Sequence, residues 1–79
     1  MADTDPVLHY SPLCQYVFHN GATLELQIYR TDDSPWVLEV VNEQGTSIVW
    51  DDQFDTDRAA FDEFTRTLET EGLAAFADE

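Results

Sequence analysis

The sequence predicts an α+β fold: a four-stranded antiparallel β-meander with one C-terminal α-helix packed on one face, in the order ββββα. Three observations carry it. Apolar residues alternate with a period of two from Leu13 to Trp50. Turn-forming residues separate the alternating runs, and the period lengthens to that of a helix after Phe54.

Residues 1–11 read as a flexible N-terminal arm punctuated by Pro6, and residues 12–79 as one domain. Residues 13–19 and 22–30 form the first two strands, joined by Asn20-Gly21. That dipeptide accepts the positive φ angles of a type I′ turn. Residues 36–41 and 46–50 form a second hairpin, closed by Asn42-Glu43-Gln44-Gly45 as a type I turn with a left-handed glycine. The stretch 31–35 connects the two hairpins.

Register follows from loop length, because a slip of one residue turns every side chain over. The first loop sets Val17 opposite Leu24 and Leu13 opposite Ile28. The connector sets Leu26 opposite Val40 and Ile28 opposite Leu38. The last turn sets Val40 opposite Ile48 and Leu38 opposite Trp50. All three turns place Leu13, Val17, Leu24, Leu26, Ile28, Trp36, Leu38, Val40, Ile48 and Trp50 on one face, which is the agreement expected of a meander.

After Phe54, the residues Ala60, Phe61, Phe64 and Leu68 recur at helical spacing, with Arg58, Asp62, Glu63, Arg66 and Glu69 opposite. Asp55 or Thr56 caps the N-terminus and Asp57 suits the helix dipole. Gly72 stops the helix, with Leu73 folding back on it.

The run Ser47-Ile48-Val49-Trp50-Asp51-Asp52-Gln53-Phe54-Asp55-Thr56-Asp57, with Ala59-Ala60-Phe61 and Glu71-Gly72-Leu73, resembles a group of small uncharacterised acidic proteins of Gram-negative bacteria, a domain of unknown function. The similarity extends back to Tyr10-Ser11-Pro12-Leu13-Cys14. It implies a fold and a bacterial setting, and it implies no activity and no functional residues.

Charge removes several function classes. The 79 residues hold 17 acids against 3 arginines, a net charge of −14, and no lysine. Direct nucleic-acid binding needs cations against phosphates and is excluded, as are P-loop and Schiff-base chemistry, which need a lysine. With 43% hydrophobic residues the chain has too much apolar material for an acidic disordered tail. No apolar stretch reaches the ~20 residues of a membrane span, so no membrane partner is expected. Residues 1–6 lack the basic and apolar regions of a secretory signal, and the single Cys14 permits no internal disulfide; both suit a cytoplasmic protein.

Candidate chemical constellations are thin. Asp51, Asp52, Asp55 and Asp57 offer oxygens for Ca²⁺ or Mg²⁺, but their spacing is not that of an alternating calcium loop. They read as strand-end solvation and helix capping. His9, Cys14 and His19 are the nitrogen and sulfur ligands, and Cys14 and His19 point to opposite faces of one strand. Ser11, Ser34 and Ser47 lack the glycines of a nucleophile elbow. No catalytic residue, metal or cofactor is therefore assigned, and Arg30, Arg58 and Arg66 read as partners of neighbouring acids.

The second sheet face is the informative one. Parity gives it Cys14, Tyr16, Phe18, Thr23, Glu25, Gln27, Tyr29, Val37, Glu39, Val41, Ser47 and Val49, where a solvated face would alternate to polar throughout. Tyr16, Phe18, Tyr29 and Val41 are the candidate partner-binding anchors, rimmed by Glu25 and Glu39. The expected function is a non-enzymatic protein–protein interaction or regulatory module, binding a protein partner or a second copy of itself. One alternative is an acidic nucleic-acid mimic or inhibitor occupying a basic cleft. The other is a carboxylate-based metal-dependent factor or enzyme.

Overall fold

Nine residues in strict alternation give the chain its central strand. In the computed structural model, which describes residues 7–76, Ala22–Arg30 (β3) buries Leu24, Leu26 and Ile28 on one face and pairs along both of its edges. On one side lie His9–Tyr10 (β1) and Gln15–His19 (β2); on the other Val37–Val41 (β4), followed by Ser47–Val49 (β5). The sheet is antiparallel throughout, and Asp57–Glu71 (α1) packs on its apolar face. The fold is α+β, an antiparallel sheet with a C-terminal helix.

The turns behave as their residues dictate. Asn20 and Gly21 take φ of 50° and 85°, so Val17 faces Leu24. The Gly45 N–H donates to the Asn42 carbonyl at 2.9 Å, and Gly45 has φ of 86°. Leu26 faces Val40, Ile28 faces Leu38 and Val40 faces Ile48, as loop length requires. The Trp50 N–H donates to the Leu38 carbonyl at 3.0 Å, extending that register by one row.

The first strand departs from expectation. Leu13 does not pair with Ile28: the edge strand is cut into β1 and β2 by residues 11–14. Pro12 has no N–H to give to a ladder and favours a tight turn, here closed by the Cys14 N–H on the Ser11 carbonyl at 3.1 Å. The Cys14 sulfur takes the place of a backbone partner, accepting the Ile28 N–H at 3.2 Å and donating to the Ile28 carbonyl at 3.3 Å. Cys14 therefore sits at the strand edge instead of on the second face. Five steps separate Tyr10 from Gln15 and three separate their partners Tyr29 and Leu26, so this is a bulge of two extra residues. The opposite edge repeats the device. Val49 pairs with Glu39 and Phe54 with Trp36, again five steps against three.

Of the expected arm, residues 1–6 lie outside the described residues. His9 and Tyr10 are paired with Arg30 and Tyr29, and Ser11 is buried, so these three do not form a free extension. The Ser11 hydroxyl donates to Asp57 at 2.7 Å and accepts the Leu13 N–H at 2.9 Å, fastening the bulge to the helix start.

Thr56 caps α1, its hydroxyl oxygen accepting the Ala59 N–H at 3.0 Å. The helix buries Ala60, Phe64 and Thr67, with Phe61 and Leu68 packed at the margin of the core. Gly72, at φ 68°, ends it, and its N–H donates to the Leu68 carbonyl. The chain then runs on as a 3₁₀ turn, Gly72–Phe76, which places Phe76 in the core at 5.7 Å from Phe64 and 5.9 Å from Trp50 between ring centres. Asn42 holds that turn. Its amide donates to the Phe76 carbonyl at 2.9 Å, and its side-chain oxygen accepts the Gln44 and Thr46 N–H groups at 3.0 and 2.9 Å.

Two substitutions test this packing in urea titrations. Phe64→Ala opens a cavity between helix and sheet and is expected to cost about 3–5 kcal/mol. Asn42→Ala strands buried polar groups at both the turn and the C-terminal 3₁₀ segment, with an expected loss of about 2–3 kcal/mol. An unmoved midpoint in either variant contradicts the corresponding contact.

Candidate functional site

A single helix shields a single side of a sheet. Among the described residues nothing packs on the other side, and its side chains form rows across the strands. Tyr16, Glu25, Val41 and Ser47 make one row, and Gln27, Glu39 and Val49 the next. Phe18 stands beside Thr23, and Tyr29 lies between Tyr10 and Val37. All six candidate residues are thus on one surface, but they are not equivalent. Tyr16 and Phe18 are 63% and 79% exposed. Tyr29, Val41, Glu25 and Glu39 are half-buried.

The two glutamates differ in their engagement. Glu39 accepts the Tyr29 hydroxyl at 2.7 Å with one oxygen and bonds the Ser47 hydroxyl with the other. Among the described residues Glu25 accepts only from the Gln27 amide, at 2.6 Å, with one of its two oxygens. No arginine stands on this face to balance it: Arg30 lies over the Trp36 ring, while Arg58 and Arg66 project from α1 toward Asp62 and Glu63. The outer face is therefore apolar, aromatic and uniformly negative.

Two shallow clefts flank Tyr16. One, of about 400 Å³, lies at the bulge and is bordered by Tyr10, Cys14 and Gln27. The other, of about 350 Å³, is bordered by Thr23, Val41 and Glu43, and Glu25 lines both. Tyr10 and Glu43 were not among the sequence candidates. Tyr10 belongs here because a two-residue bulge leaves side-chain parity unchanged, putting its ring 5.6 Å from that of Tyr29. Glu43 reaches the surface by accepting the Thr23 N–H at 2.8 Å from the far end of the β4–β5 turn. Neither link is visible in local pattern.

The other constellations do not assemble. Asp51, Asp52 and Asp55 are solvated, and Asp57 is bonded to Ser11. His9 faces Asp32, Cys14 is engaged by Ile28, and His19 closes β2 beside the turn. Among the described residues no three His, Cys, Asp or Glu side chains converge as metal ligands. No described helix is long and apolar enough to cross a membrane.

Burial, then the hydrogen bond and negative charge of Glu39, push the Tyr29 phenol up to about 12. In an ultraviolet phenolate titration one tyrosine is expected to ionise near that value, and Tyr29→Phe should remove the step. Glu39→Gln should bring it only part way back, because burial is the largest cause. An unfolded tyrosine ionises near ~10, so the stability contributed by neutral Tyr29 is complete below pH ~10 and drains away as pH rises toward 12. A full return to the ordinary value in Glu39→Gln would refute the burial contribution.

Comparison with protein-family models, with curated proteins and with solved structures finds no match.

Proposed function

We propose that this chain is a small acidic, cytoplasmic, non-enzymatic interaction or regulatory module that engages a protein through its outer sheet face. The observation that carries the reading is the exposure of Tyr16 and Phe18, side by side on a face that no described element covers. Large aromatic side chains of this kind, with an acidic surround, supply the anchors and the rim of a protein interface. Tyr29 and Val41 extend the apolar floor, Glu39 fixes Tyr29, and Glu25 lends charge. Self-association through the same face is the other protein-binding outcome. Kinship with the bacterial group resembled in residues 47–73 belongs to the same proposal. Acidic mimicry has less support, since two of the helix acids, Asp62 and Glu63, are already paired with arginine.

Phe18→Ala is expected to cost at least ~2 kcal/mol of binding while the fold survives, because the ring is largely outside the core. Glu25→Gln should keep most of the affinity and flatten its salt dependence. NMR line-broadening on addition of cell extract locates the footprint, with Phe18→Ala as the control and sedimentation reporting any dimer. A footprint confined to Asp62, Glu63, Glu69 and Glu71 would sink the outer-face reading in favour of mimicry.

A further inference from the structure

The exposed edge of β2 carries the outer-face reading further, toward how a partner is held and what it is. The type I′ hairpin makes His19 and Ala22 a doubly bonded pair, so Val17 with Leu24 and Gln15 with Leu26 are bonded pairs in turn. The N–H and C=O groups of Tyr16 and Phe18 consequently point away from β3, and no described residue accepts from or donates to them. Exposed edges of this sort are ordinarily blunted by charge, proline or brevity. At the far side of the sheet β5 has only three residues and runs directly into Asp51 and Asp52 beyond Trp50. β2, Gln15-Tyr16-Val17-Phe18-His19, is five residues long and contains no acid, lysine, arginine or proline.

We propose that β2 accepts an extended segment of a positively charged protein as an added strand. Main-chain hydrogen bonds to Tyr16 and Phe18 would hold it, and its alternate side chains would lie against the Tyr16 and Phe18 rings. Charge selects the occupant. The protein carries −14, and among the described residues the outer face has no cation and Glu25 beside Tyr16 keeps one carboxylate oxygen without a partner. An arginine or lysine side chain crossing Tyr16 finds an aromatic face and a carboxylate together, whereas a second copy brings another −14. The inference rests on the outer face being the docking surface.

Amide hydrogen exchange tests it directly, with a synthetic peptide of alternating arginine and valine as the probe. Exchange at Tyr16 and Phe18 should slow while Val17, already bonded to β3, stays as it was. Replacing arginine by citrulline should weaken binding by about tenfold or more, and N-methylating alternate peptide bonds should abolish the protection. Phe18→Pro removes the outward N–H without breaking the β3 ladder, so it should weaken the peptide more than Phe18→Ala does. Equal losses in those two variants, or Tyr16 and Phe18 amides that exchange as in the free protein, overturn strand addition. If side-chain signals of Tyr16, Phe18 and Glu25 still shift in that case, the outer face remains the docking surface and the strand mode alone falls. If neither amides nor side chains respond, both readings fall. Protection that grows with protein concentration, together with a doubled sedimenting mass, overturns the cationic partner in favour of a second copy.

Discussion

Everything in this small domain leans on β3 and on the constraint that its side chains alternate without a break. Leu24, Leu26 and Ile28 pass from the hairpin turn to the connector on one face, and each is at most 2% exposed. Three strands take their register from it, and the helix takes its seat from the surface that those strands make together. A slip of one residue along β3 would put Glu25 and Gln27 under Phe64. The cost of burying that carboxylate unpaired makes the arrangement close to unique.

The same constraint produces the outer sheet surface. With a single helix, the fold covers the leucine face, and among the described residues nothing covers the tyrosine face. The acids then settle where solvent can reach them or where a donor meets them. Glu39 meets Tyr29 and Ser47, Asp57 meets Ser11, and Glu63 meets Arg66, whose guanidinium is the main cause holding the Glu63 carboxyl below its usual range. Glu25 meets no such donor beyond the Gln27 amide among the described residues. An uncompensated charge beside two exposed rings is tolerable in free protein because it remains hydrated, and it would cost free energy if that water were displaced.

Much of this was legible in the sequence, for a simple reason: turns and alternation are local. Asn20-Gly21, Gly45, Thr56 and Gly72 act on their own neighbours, so register and helix limits follow from reading a few residues at a time. Three features were not legible. Cys14 mimics a backbone partner for Ile28, a role that depends on where Pro12 has sent the chain. Phe76 joins the core against Phe64 and Trp50, with its carbonyl held by Asn42, 34 positions earlier. Tyr10 joins the outer face across a break in its strand. Each depends on a contact between distant segments. The outer face itself was recognised from parity, yet parity could not grade its members. It took Glu39 satisfied and Glu25 half-satisfied to separate the two.

The paired bulges have a further meaning for how such a sheet can change. Both edges absorb two surplus residues where the inner strand advances three steps, and two is a whole period of a β-strand. Surplus of that size is silent with respect to facing: His9 and Tyr10 on one side, and Phe54 on the other, keep the orientation that an unbroken strand would have given them. Length variation at residues 11–14 and 51–53 is therefore quantised. Gains or losses in twos would preserve both faces, while a single residue would exchange solvent and core for everything outboard of the bulge. Sheet edges of this kind can drift in length over generations without disturbing the interior, provided that they drift in even steps.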